Sequence, residues 1–256
     1  MKNNPFFESF ISKITTHANI AHLGYIYFTL AIVTALTVTS KSWRLARNAI
    51  TWAHELGHSV AAILAGGGVH SIRLNHDTSG VTSTALPRRK RKKTPSPLLE
   101  AFVSFWGYPA PGVIGFLLAI AIWSGYSTSA LFGLLLLVFF TFLFIRNFWG
   151  LLIVLLLGGA IVTCTLFLPT RLDTYPIAFL SSFFLWGSLR STTESVSRRR
   201  KKLLDPNNLG NDVYGVASRT ALPEEGIEFL WFGTWGLCAF GTGWLVLNPG
   251  ILPFHL

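Results

Sequence analysis

Acidic residues are scarce in this chain: its 256 residues hold 11 Asp and Glu against 21 Lys and Arg, and all charged residues together make up 12%. Soluble domains carry about twice that share, so the composition excludes an ordinary water-soluble fold. Cysteine and methionine are rarer still, at 2 and 1. Cys164 and Cys238 both fall in apolar runs without metal-ligand spacing, which excludes a disulfide scaffold or a cysteine zinc site and leaves two small buried hydrophobes. No polar stretch is long enough to fold as a separate soluble domain. Met1 to Asn19 lack the apolar core of a cleavable signal peptide, so the first hydrophobic run reads as a retained signal anchor. No internal repeat is visible, which argues against a small-solute transporter built from inverted repeats.

Hydrophobic residues, by contrast, make up 51% of the chain. Apolar stretches of the roughly 17–25 residues that cross a bilayer lie near Leu23–Thr39, Trp43–Gly66, Pro97–Ser124, Ser129–Ile145, Phe148–Leu168, Tyr175–Leu189 and Glu228–Leu247. The expected fold class is an all-α polytopic membrane protein with about seven transmembrane helices. A single integral membrane domain takes the whole of 1–256: the first span and the next helix in 19–66, a hairpin and basic loop in 67–96, a helical bundle in 97–190, a cytoplasmic loop in 191–227 and the last span in 228–256.

Basic residues collect at Arg88 to Lys93 and at Arg198 to Lys202. With seven spans both runs fall on one side, which the positive-inside rule makes cytoplasmic. The net charge of +10 sits beside apolar spans and carries no interleaved aromatics, so nucleic acid is not an expected partner. The bilayer is. The basic runs read either as topology signals alone or as contacts with anionic lipid headgroups.

Inside the second apolar stretch stands His54-Glu55-Leu56-Gly57-His58. On a helix, residues i and i+4 share one face, so His54 and His58 can aim both imidazoles at one zinc ion. Glu55, beside them, is placed to take a proton from a water molecule acidified by that metal. The setting adds weight, because three ionisable side chains in a membrane span are costly unless something such as a divalent cation compensates them. The blander alternative is a helix whose histidines bond neighbouring carbonyls, with Glu55 protonated or paired to Arg44 or Arg47. Small residues at Ala53, Gly57, Ala61 and Ala62 keep the helix slim enough for close approach by a substrate backbone or another helix.

After Gly66-Gly67-Gly68, a helix stop, Val69–Leu74 and Ser79–Thr84 flank Asn75-His76-Asp77-Thr78, the pattern of a β-hairpin. It reads as a strand edge that holds an unwound substrate by main-chain hydrogen bonds, or as a plain surface hairpin. Arg146-Asn147 interrupts an apolar hairpin: Asn147 is a candidate for steadying a substrate carbonyl or an oxyanion, and equally a tight-turn residue. Tyr108, beside Pro109 and Pro111, lines a substrate path or packs at a kink.

These residues resemble the site-2 protease family of intramembrane zinc metalloproteases, in its compact bacterial branch without an inserted PDZ domain. The zinc helix is the strongest match, followed by Gly107-Tyr108 with Pro111, Arg146-Asn147 with Gly150, and Asn211-Asp212 leading into Ala217, Thr220 and Pro223. The resemblance implies one zinc ion per chain held by two histidines and an aspartate, and hydrolysis of a peptide bond in or near a transmembrane segment of another protein. His54 and His58 carry over directly. The Leu-Asp-Gly ending of the family's second motif is absent, and Asp212 is the acid in the closest matching position. Asp212 reads as the third ligand, or Asn211 or Asp212 simply caps a helix over Val213–Thr220, with His70 and His76 as fallback ligands.

The expected protein is thus a metalloendopeptidase of the bacterial cell membrane, with Glu55 catalytic and a helical substrate entering sideways. The alternative is a non-catalytic membrane scaffold that keeps the site for metal sensing or for binding a partner helix.

Overall fold

The computed structural model describes residues 27–28, 30–35, 43–88, 94–168, 172, 174–201 and 212–248. Most of the first expected span, the centre of the first basic run at 89–93, and Asn211 lie outside these residues. The described chain is mainly helical, with one small two-stranded antiparallel sheet.

Helix α1 (Trp43–Leu64) carries the paired histidines. It buries one face, including Ile50, Trp52, Ala53, Leu56 and Ala61, against its neighbours. Its end is glycine-made: Gly66 adopts φ 75° and the Gly67 N–H donates back to the Ala62 carbonyl at 2.9 Å, a left-handed C-terminal cap. Strands β1 (Gly68–Leu74) and β2 (Gly80–Ala85) follow as a hairpin, with Ile72 opposite Thr82 and Leu74 opposite Gly80. The expected hairpin is present, within a residue of its expected bounds. Ile72 and Leu74 point into the core at 0% and 1% exposure. At the turn, Thr78 takes φ 67° and the Asp77 carboxylate accepts from the Ser79 N–H at 3.0 Å.

Two proline-started helices come next, α2 (Pro97–Phe105) and α3 (Pro109–Trp123), bent by 58° at the intervening Trp106-Gly107-Tyr108. Pro109 has no N–H to donate to the Phe105 carbonyl, which accepts instead from Trp231 Nε1 at 3.1 Å. The stretch expected as one span is therefore two helices meeting at an angle. Helices α4 (Ser127–Phe144) and α5 (Phe148–Phe167) form an apolar hairpin. They are followed by α6 (Thr174–Arg200), the short α7 (Asp212–Ala217) and α8 (Glu224–Leu247).

Three of these helices, α4, α5 and α8, are long and apolar enough to cross a bilayer, and the bent α2–α3 pair reaches that length only when its two helices are taken together as one span. The seven expected spans are not matched in number among the described residues. Helix α1 contains Arg44, Arg47 and Glu55, and the apolar part of α6 stops at Arg190, so neither forms a continuous apolar stretch of the needed length.

Close packing sets the site's scaffold. A Cβ at Gly115 in α3 would lie 2.7 Å from the Ser181 carbonyl of α6, and one at Gly57 in α1 would lie 2.5 Å from Ala110 Cβ. Trp52 Nε1 donates to Thr141 Oγ1 at 3.0 Å, tying α1 to α4, and Ser188 Oγ donates to the Tyr108 carbonyl at 3.1 Å, tying α6 to the bend.

Candidate metal centre

Helical spacing delivers the first two groups: His54 and His58 lie one turn apart on α1, with their Nε2 atoms 3.1 Å from each other. His58 Nδ1 donates to the Val103 carbonyl of α2 at 2.8 Å, which turns Nε2 toward His54 and Asp212. The third group comes from far along the chain. Asp212, the first residue of α7, places Oδ2 at 2.9 Å from His54 Nε2 and Oδ1 at 3.3 Å from His58 Nε2. Among the described residues these three form the one cluster of His, Cys, Asp or Glu side chains close enough to share a metal.

The spacing fits zinc. Ligands about 2.0–2.1 Å from a tetrahedral zinc ion stand roughly 3.3 Å from one another. The separations of the two imidazole nitrogens from each other, and of each from its nearer Asp212 oxygen, lie near that value, and two imidazoles with a carboxylate are an ordinary zinc donor set. Burial works to raise the Asp212 carboxyl, and the facing His58 and His54 more than offset it, holding it well below the usual carboxylate range.

Helix α7 is docked so that Asp212 keeps this position. Arg219 Nε meets Glu100 Oε2 of α2 at 2.7 Å, and its Nη1 donates to the Gly215 carbonyl at 2.8 Å, closing the end of α7. A Cβ at Gly215 would stand 2.9 Å from Ser104 Oγ, so the α7 backbone packs directly on the Ser104 side chain of α2.

Glu55 is 3% exposed and opens into the same cavity, of about 520 Å³, as the two histidines and Asp212. Thr82 of β2 donates its hydroxyl to Glu55 Oε2 at 2.6 Å. A Cβ at Gly80 would stand 2.7 Å from the Glu55 carboxyl carbon, so only glycine lets β2 pass this close above the carboxylate. Gly107 has the same role at the bend, where a Cβ would reach within 2.6 Å of both imidazoles. Tyr108 borders the site, its ring centroid 4.8 Å from His54 and 4.4 Å from Trp231.

Asn147 lies elsewhere. Its Nδ2 donates to the Leu74 carbonyl at 2.5 Å and its Oδ1 accepts from the Leu74 N–H at 3.2 Å, while Arg146 N donates to the Ile72 carbonyl at 3.0 Å. Residues 145–147 thus cover the outer edge of β1, and β2 is left with the unpaired edge among the described residues. His70 and His76 are exposed on the hairpin, outside the cluster. Asn147→Leu, which strands the Leu74 N–H and C=O, is expected to destabilise the protein by about 2–4 kcal/mol. A detergent melt that falls while bound zinc is unchanged would show this; an unshifted melt would refute it.

Sequence reasoning passed over Val103, Thr82 and Gly80. Val103 acts through its backbone, which leaves no sequence signal. The alternation Gly80, Thr82, Thr84 did mark one face of β2.

A family model, Peptidase M50B-like, matches residues 27–246. The chain belongs to that family, whose members are zinc metalloproteases and which is associated with proteolysis inside membranes. Neither a curated protein nor a solved structure matches the chain significantly.

Proposed function

We propose that this protein is a zinc endopeptidase that hydrolyses peptide bonds in or near transmembrane segments of other membrane proteins. The observation that carries the reading is the convergence of His54, His58 and Asp212 at 2.9–3.3 Å in a cavity that also receives the buried Glu55.

His54, His58 and Asp212 hold the metal. Zinc, when bound, supplies a Lewis acid that polarises the scissile carbonyl and acidifies water. Glu55 takes a proton from the attacking water and delivers it to the departing amide nitrogen. Thr82 keeps the carboxylate oriented for both transfers. Tyr108 walls the site beside His54, where the substrate backbone passes.

A helix hides its peptide bonds, so the substrate must unwind locally before cleavage. The free edge of β2 offers main-chain hydrogen bonds to such an extended segment directly over Glu55. Asn147 serves the reading indirectly, by locking the other strand of the hairpin. The protein works in a cell membrane, the bacterial one by the family branch it resembles, with its basic loops on the cytoplasmic side and in reach of anionic lipids.

The test is metal dependence. Detergent-purified protein is expected to hold one zinc per chain and to cleave a transmembrane-helix reporter, to lose both metal and cleavage on chelation, and to regain both on zinc addition. Folded protein that takes up no zinc, or cleavage that survives chelation, would refute the reading.

A further inference from the structure

The cavity over the histidines has a wall whose charge the chemistry above leaves unused. Helix α6 presents Ser191, Ser195 and Arg198 to it at positions i, i+4 and i+7, one helical face, and α1 adds Arg47 two turns before His54. The acids of the cavity are already engaged. Glu100 pairs with Arg219 at 2.7 Å, Asp212 faces the histidines and Glu55 holds Thr82. Arg47 does have a carboxylate partner, Glu194 at 3.3 Å, but Glu194 also binds Arg190 at 3.0 Å. Arg198 has no acidic partner among the described residues. Arg47 and Arg190 therefore share one carboxylate while Arg198 has none, and this wall carries more positive than negative charge.

Guanidinium groups bind carboxylates by paired, charge-assisted hydrogen bonds, strengthened where water is partly excluded. The Ser191 hydroxyl adds a donor along the same stripe, and the Ser195 hydroxyl bonds Tyr108 at its edge. An extended segment lying along β2 would send alternate side chains away from the strand, and those on the cavity side have this wall before them. We propose that Arg47 and Arg198 form a subsite for a carboxylate side chain of the substrate, so that cleavage favours an Asp or Glu close to the scissile bond. The inference rests on the protease reading. A lipid headgroup is the weaker candidate, because the two arginines line the cavity of the histidines and not a lipid-facing groove.

The experiment uses the full-length protein in vesicles of neutral lipid, with transmembrane reporters that carry Asp, Asn or Lys at successive positions around the cleavage site. The expected result is a position at which Asp raises kcat/KM about tenfold over its isostere Asn, the scale of one charge-assisted hydrogen bond, mainly through KM. In Arg198→Glu the preference at that position should turn from Asp toward Lys. Equal cleavage of Asp and Asn reporters everywhere would overturn the subsite and leave the protease standing. A charge effect that appears only when anionic lipid is added would assign the arginines to headgroups and also overturn it. Cleavage of no reporter by the zinc-loaded protein would remove the protease reading and the subsite with it.

Discussion

Glu55→Gln is expected to keep its zinc and to lower kcat for a transmembrane reporter by about 10²–10⁴, the contribution of a positioned general base. The substitution is nearly isosteric, and the glutamine carbonyl can still accept the Thr82 hydroxyl that now lies 2.6 Å from Oε2. What is lost is the capacity to take up a proton. Glu55 is not one of the groups that converge on the metal position, so bound zinc should not change. Zinc content and single-turnover kinetics on the same preparation decide the matter. A zinc-loaded Glu55→Gln protein within a factor of ten of wild type would assign the proton transfer to another group and leave Glu55 as a packing residue under the hairpin.

The parts of this site that were legible in the sequence are those fixed by local geometry. The interval of four between His54 and His58 can be read without a structure, because helical periodicity alone puts them on one face. The triple glycine followed by alternating residues announced the hairpin for a similar reason. Where the outcome turned on contacts across the chain, local pattern carried little. Asn147 was open between an oxyanion role and a turn, and its amide instead pairs with the backbone of Leu74, 73 residues away. The run from Pro97 to Ser124 looked continuous in hydropathy, yet it breaks at Trp106-Gly107-Tyr108, and the bend is where Gly107 meets the imidazoles. The span count is not matched among the described residues where charge enters a helix: α1 and α6 bring Arg47, Glu55 and Arg198 to the wall of a polar cavity, and hydropathy does not distinguish a cavity wall from a lipid-facing surface. Asp212 had no local signature beyond that of a helix cap, and only the family resemblance pointed to it.

Asp212→Asn separates those two readings of the residue, since asparagine caps helices as well as aspartate does. If capping were the role, the asparagine variant would keep its zinc and its activity, and only Asp212→Ala would fail. The geometry favours the opposite outcome: both carboxylate oxygens are turned to His54 and His58, at 2.9 and 3.3 Å. Both variants are therefore expected to lose zinc affinity by more than about 100-fold, because removing even an outer-shell partner of a ligand costs 10–100-fold and a ligand itself should cost more. The fold should survive, as α7 is held by the Arg219–Glu100 pair and by buried Val213 and Val216, none of which the substitutions touch. Zinc titration of the folded variants, checked by circular dichroism, gives the answer. Tight zinc binding by Asp212→Asn would return the residue to a capping role and leave the two histidines in need of another partner.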